Sequence, residues 1–241
     1  MHFHMPKPLH GWRGFLGEVG IIVIGVLIAL GAEQLVENAH AERRTQQSLR
    51  AIRAELAHSA GVFDERVAIQ PCLDKRIDEL GAVIAAARRT HQIPELGEIG
   101  RPPTRPIQST AWSMAAAEGV ITNFPDTQRD LLSIAYSQAA SYSKDADDEQ
   151  QLWAILRLLE HSPGPIDGAL LADATTTLER LRFQTMLNGL NAGQLLDEIR
   201  SSGISADYFL LTDPGEKLDH AAVRAKVNAR SVCRPLVGSG N

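Results

Sequence analysis

FLGEVGIIVIGVLIALGAEQLVE, residues 15 to 37, is the stretch on which the reading of the chain turns. From Val19 to Ala32 no residue carries a charge or a hydrogen-bonding side chain, and Glu18 and Glu33 bracket the run. As an α-helix this strictly apolar core is ~21 Å long, short of the ~30 Å hydrocarbon layer of a bilayer. Extended from Phe15 to Val36 it reaches about 22 residues, enough to span, with both carboxylates close enough to the ends for water and headgroups to reach them. Trp12 and Arg13 stand where an interfacial aromatic and a cytoplasmic cation belong.

Two other readings compete with a retained anchor. In a cleaved signal peptide, Lys7 and Arg13 form the charged region, Val19 to Ala32 the apolar region and Ala39-His40-Ala41 the cleavage site, which releases a soluble secreted domain starting at Glu42. Against it, the segment before the apolar run is long and contains Glu18, and the segment after it carries Glu33 and Glu37 and reads as continuous helix. The third reading is a core helix buried by the rest of the chain. The anchor is the expectation.

Flanking cations alone do not orient it. Lys7 and Arg13 precede the span, whereas Arg43, Arg44, Arg50 and Arg53 follow it, interleaved with Glu33, Glu37 and Glu42. Long domains translocate largely regardless of charge, so the expected arrangement keeps a short N-terminus (1–14) in the cytoplasm, a transmembrane anchor over 15–36, and residues 37–241 outside.

Within the span, Gly25, Ala29 and Glu33 follow one another at steps of four, and Gly14, Gly17 and Gly20 at steps of three. Small residues on one face let a second helix approach closely. An ionisable residue at a span edge marks a partner contact. Glu18, Gly25, Ala29 and Glu33 are therefore the expected contact residues, toward a protein partner or a second copy. The alternative is that glycine and alanine are simply common in spans.

Gly17-Glu18 followed by Ile22-Val23-Ile24-Gly25-Val26-Leu27-Ile28-Ala29-Leu30 resembles the N-terminal segment of a group of bacterial single-pass membrane proteins of uncharacterised function. That group pairs a Gly-Glu with an IV-x-G-x-LIAL-type helix and a long helical region. The resemblance covers chiefly residues 12 to 37 and implies an inner-membrane anchor carrying a helical domain, with no implied activity.

The remaining sequence reads as all-α. Aromatics are sparse at 5%, while alanine and leucine abound, which favours helix. From Glu33 to Gln70 there is no proline, and Leu49, Ile52, Leu56, Phe63 and Val67 recur at helical spacing. The anchor is thus expected to continue as one helix of about 55 residues, ~80 Å long, ending at Pro71. Leu73, Ile77, Leu80, Ile84 and Ala87 predict a second helix over 72–89, folded back as an antiparallel hairpin. Residues 90–109 hold four prolines and two glycines and read as a loop.

Ser109 or Thr110 is expected to cap a short helix carrying Trp112 and Met114 and ending at Gly119. Pro125-Asp126 opens a long helix with a stripe of Leu132, Ala135, Tyr136, Ala139, Tyr142, Trp153, Leu156 and Leu159, in which the acidic patch at 145–149 marks a possible break. After the turn Ser162-Pro163-Gly164-Pro165, a helix over 166–200 is expected to bury Leu170, Leu171, Leu178, Leu181, Leu187, Leu190, Leu195 and Ile199. The tail should hold an extended 207–211, a Pro214-Gly215 turn and a short helix near 220–230. Four long helices predict an antiparallel bundle standing on the membrane, with an irregular C-terminal tail.

Cys72 and Cys233 are the only cysteines. In an oxidising compartment they are expected to pair and tie the tail to the first hairpin; the alternative is two unrelated buried thiols.

A formal charge of −5 leaves no polycationic surface for nucleic acid. No G-x-S-x-G elbow, P-loop, dinucleotide fingerprint, H-E-x-x-H or C-x-x-C occurs, so no catalytic residue, cofactor or metal is assigned and the chain is not expected to be an enzyme. His2, His4 and His10 with Met1 and Met5 read as a tip rather than a metal site. Asp145, Asp147, Asp148 and Glu149 lack the glycine and final glutamate of a calcium loop and read as a solvated face. Trp112, Tyr136, Tyr142 and Trp153 read as core rather than as a ligand pocket. The functional expectation is a membrane-anchored helical interaction protein, an accessory or scaffold subunit. A small-molecule-binding sensory module and a secreted helical protein are the alternatives.

Overall fold

The computed structural model describes residues 12–211 and 218–237, so the histidines at positions 2, 4 and 10 and the Pro214-Gly215 pair lie outside the described residues. The fold is all-α, built on one helix, α1, from Trp12 to Thr90. At 1.5 Å per residue its 79 residues extend about 120 Å.

Pro71 lies inside α1, which corrects the expected break and hairpin. A proline in a helix interior removes one backbone hydrogen bond and crowds the preceding turn, at about 3 kcal/mol. Here it sits on the exposed face, and Val67, whose carbonyl loses its donor, is only half-buried, so water can satisfy it. Ile69 and Leu73 on either side are fully buried, as are Ile77 and Leu80 further on. Packing on both flanks holds the helix through the defect. The residues expected for a second helix are thus the distal end of α1, and the bundle has three long helices rather than four.

At its C-terminus α1 is closed by His91 in the left-handed region (φ 54°), whose N–H donates to the Ala87 carbonyl at 2.8 Å. The Pro-rich segment then descends in extended form beside α1. Its first residues, β1 (Gln92–Ile93), pair antiparallel with β2 (Gly164–Pro165), Gln92 opposite Pro165 and Ile93 opposite Gly164. Lower down, Arg105 reaches Glu65, and the segment ends at α2 (Thr110–Ala117) beside Glu55. Ser109 precedes α2 but its side chain makes no capping bond. Glu55 of α1 caps it instead, accepting from the Ala111 N–H at 2.8 Å.

α3 (Asp126–Leu156) runs alongside α1 in the same direction, with Tyr136 at Glu55 and Glu149 at Arg66. It passes through the acidic patch unbroken, because Glu149 turns inward. A 3₁₀ turn over Arg157–His161 leads to β2. α4 (Gly168–Ser201), N-capped by Asp167, returns in the opposite direction, as Arg88–Thr175, Asp78–Arg182 and Asp64–Arg200 show. Leu171, Leu178, Leu181, Leu195 and Ile199 are buried, but Leu170 and Leu190 are exposed and Leu187 only half-buried, which corrects their assignment to the core.

The tail climbs α1 again. Asp207 crosses it at Gly61, where a Cβ would overlap the Asp207 carbonyl oxygen, and the Asp207 N–H donates to Ala57 O at 2.8 Å. Residues 209–211, expected to be extended, form a 3₁₀ turn. α5 (His220–Asn228), N-capped by Asp219, and a 3₁₀ turn at Ser231–Cys233 follow, and the Gly97 N–H donates to Leu236 O at 2.7 Å. Two buried clusters result. One centres on Ile77, Trp153 and Leu181, the other on Phe63, Tyr136 and Leu195.

Candidate functional site

Burial along α1 changes abruptly near Thr45, the first buried residue of the helix. Before it, the large apolar side chains from Trp12 to Val36 are exposed, with Ile21 at 74% and Leu35 at 72%. None of the apolar window that qualifies this helix as long and apolar enough to cross a membrane is buried inside the chain. The core-helix reading is therefore corrected: no other element of the described chain covers this surface.

Gly25, Ala29 and Glu33 lie on that uncovered stretch, as does Glu18. No atom outside the helix lies within contact distance of a Cβ built at Gly17, Gly20, Gly25 or Gly31. The small-residue face is thus open from end to end. Ala39-His40-Ala41 lies within α1, which continues without interruption into the packed helix beyond Thr45.

Inside the bundle the ionisable groups are spent on one another. Glu149, the last member of the acidic patch, is buried and accepts from Thr185 Oγ1 at 2.7 Å, Asn188 Nδ2 at 2.7 Å, Arg66 Nη2 at 3.2 Å and Trp153 Nε1 at 3.3 Å. That corrects its assignment to a solvated face. Asp145 offers its backbone carbonyl to Asn188 and Gln184. A buried ion pair holds only when its spare lone pairs are satisfied, and Glu149 meets that condition. Arg66 Nη1 has no protein partner, and Arg66 lines a cavity of about 30 Å³ with Tyr142 and Glu65, large enough for about one water.

Asp64 gathers the tail. It accepts from Arg200 Nη2 at 3.0 Å and Tyr208 Oη at 2.7 Å, and His220 Nδ1 lies 2.6 Å away. Burial pushes its carboxyl up, but the hydrogen bonds from Tyr208 and His220 and the Arg200 charge outweigh this and hold it below the ordinary 3.8. Arg224 Nε donates to His220 Nε2 at 3.2 Å, so this carboxylate–imidazole pair points its second nitrogen at a guanidinium. Glu65 similarly joins Arg105 to Arg230.

Arg76, wholly buried, donates to the carbonyls of Glu98 and Ile99 at 2.5 Å each and to those of Ser231 and Arg234, with Glu79 at 3.0 Å. Burial lowers its pKa even beside Glu79. One guanidinium so clasps the descending segment and the tail together. One turn earlier, Cys72 is bonded to Cys233.

The aromatic side chains do not converge on one pocket. Trp112 stacks on Tyr136 at 5.4 Å, Tyr142 meets Phe63 edge-on at 5.1 Å, and Trp153 belongs to the other cluster. Burial pushes the Tyr142 phenol up to about 12, and burial with hydrogen bonds to carboxylates raises Tyr136 and Tyr208 as well. Among the described residues, no group of three or more His, Cys, Asp or Glu is placed to hold a metal.

Sequence reasoning missed the buried polar residues Glu55, Asp64, Glu65, Arg66 and Arg76. Their only signal was position: Glu55, Asp64, Arg66 and Arg76 adjoin the apolar stripe residues Leu56, Phe63, Val67 and Ile77, and Glu65 lies between Phe63 and Val67. Comparison with known proteins adds no assignment: no family model, curated protein or solved structure matches the chain.

Proposed function

We propose that the protein is a membrane-anchored interaction subunit, held in lipid by residues 15–36 and presenting the bundle of residues 45–237 to a partner outside the cytoplasm. The observation that carries this reading is the wholly uncovered apolar helix that runs unbroken into a bundle whose buried carboxylates are already engaged by cations or hydrogen-bond donors. The predominantly apolar helix over residues 15–36 is exposed and requires a cover, and hydrocarbon of ~30 Å matches its length. Continuity of α1 across Ala39-His40-Ala41 favours retention over cleavage. The Cys72–Cys233 bond favours an oxidising compartment for the domain.

Glu18, Gly25, Ala29 and Glu33 are the proposed contacts for a second helix within the membrane. The test joins topology to association: a C-terminal alkaline phosphatase or fluorescent-protein fusion, a non-reducing gel, and photo-cross-linking from position 25. Active phosphatase, an oxidised full-length product and a discrete cross-linked band are expected. A mature product starting at Glu42, or a chain that stays monomeric with no cross-linked neighbour, would overturn the proposal.

A further inference from the structure

The outward face of α4 carries Phe183, Met186 and Leu190 at 62%, 55% and 56% exposure. Their spacing of three and four places them in one stripe along the helix, opposite the buried stripe of Leu181, Thr185, Asn188 and Ala192. Phe183 and Met186 form one wall of a groove of about 390 Å³ whose other wall is Asp74, Ile77 and Asp78 of α1.

The groove is acidic. Asp74, Asp78 and Glu179 face a single cation, Arg182, which Asp78 already engages at 2.8 Å. Asp197 lies two turns beyond Leu190 on the same face and is exposed.

From this pattern we propose that the α4 face docks an amphipathic helix of a different protein, with an apolar stripe seated on Phe183, Met186 and Leu190 and Lys or Arg side chains along its borders. The inference rests on the membrane-anchored reading above and names the partner's chemistry. A second copy of this chain fits poorly. Copies tethered in one membrane share an orientation, so a two-fold axis must lie along the membrane normal, and each acidic residue would then meet its own counterpart.

The test uses the full chain in phosphatidylcholine nanodiscs, with empty nanodiscs as control, and two fluorescent synthetic helices that share a leucine stripe at i, i+3, i+7. One is bordered by lysine, the other by glutamate. Fluorescence anisotropy is expected to give at least tenfold tighter binding of the lysine-bordered helix, weakening in 0.5 M salt. Phe183→Ser and Leu190→Ser should each lower that affinity at least tenfold, while Leu158→Ser, an exposed apolar site elsewhere, should not. Equal binding of both peptides, or affinity indifferent to Phe183→Ser, overturns the inference. So does a nanodisc-embedded dimer that Phe183→Ser dissolves, because the occupant would then be a second copy. Each of these results leaves membrane retention and the position-25 cross-link standing, so the two proposals fail separately.

Discussion

Between Trp12 and Arg44, α1 turns isoleucine, leucine and valine outward in every direction; between Thr45 and Thr90 the same helix buries Ile52, Phe63, Leu73 and Leu80 on one side and polar groups among them. No loop or break in the helix separates the two regimes. Within the proximal part, Val19 to Ala32 carry no polar side chain, and Glu18 and Glu33 mark the ends of that run, the distribution a helix surrounded by hydrocarbon would require. The distal part keeps Asp64, Glu65, Arg66 and Arg76 inside, each tied to a segment distant in sequence. An element's environment is thus legible from how its polar residues are distributed, more than from its mean apolarity.

The largest effect that would break this contrast is loss of the Cys72–Cys233 bond. It closes a loop of 161 residues, and the chain-entropy relation assigns such a loop about 5 kcal/mol. Cys72→Ser should lower bundle stability by up to that amount in urea unfolding followed by circular dichroism, and a reductant should do the same to the wild type. Unchanged stability would assign the tail to Arg76 and Asp64 alone.

Breaking one member of the buried ion pair comes next. Glu149→Ala leaves Arg66 without its counter-charge and should cost about 3–5 kcal/mol, whereas the double replacement Arg66→Met, Glu149→Leu should recover much of the loss. A double variant as unstable as the single one would show that the hydrogen bonds of Thr185 and Asn188, rather than charge pairing, are what the site needs.

Matched truncations sharpen the comparison directly. Leu80→Ala in the distal half should cost about 2–5 kcal/mol, and Leu27→Ala in the proximal half less than about 0.5 kcal/mol, in the same denaturation experiment. A sizeable penalty at Leu27 would mean that a protein surface packs there.

Smallest is the pH response. Asp64 is held below its ordinary 3.8 in the fold, so its contribution is complete above that value and disappears as pH falls through the lowered value. Asp64→Asn should lower stability at neutral pH and flatten its decline in acid. At the alkaline end, Tyr142 is neutral up to about 12, and Tyr136 and Tyr208 are also raised, so stability declines as pH climbs above the ordinary 10. Phenolate absorbance should rise in step with unfolding rather than before it.

Much of this architecture could be read from residue patterns. Helical spacing marked α1, α3, α4 and α5, prolines marked the descending segment, and the two cysteines proposed their own pairing. Pro71 misled, because its cost of about 3 kcal/mol is local while the packing that offsets it comes from α4 and the tail. Leu170 and Leu190 misled for the reverse reason: composition names an apolar residue but not whether a neighbour covers it. The buried carboxylates and guanidiniums were least legible. Their tertiary partners lie far off in sequence, as Arg105 and Arg230 do from Glu65 at 40 and 165 positions, and no local pattern announces such a meeting.

The absence of a joint at Pro71 has a mechanical consequence. From Val36 to Thr90 the rod measures about 80 Å, so a rotation of about 10° in the proximal end sweeps the far tip sideways by about 14 Å. In the proposed membrane-anchored arrangement, bilayer thickness and neighbouring helices would set such angles. The shape of the molecule therefore converts small changes at its foot into large displacements of its head.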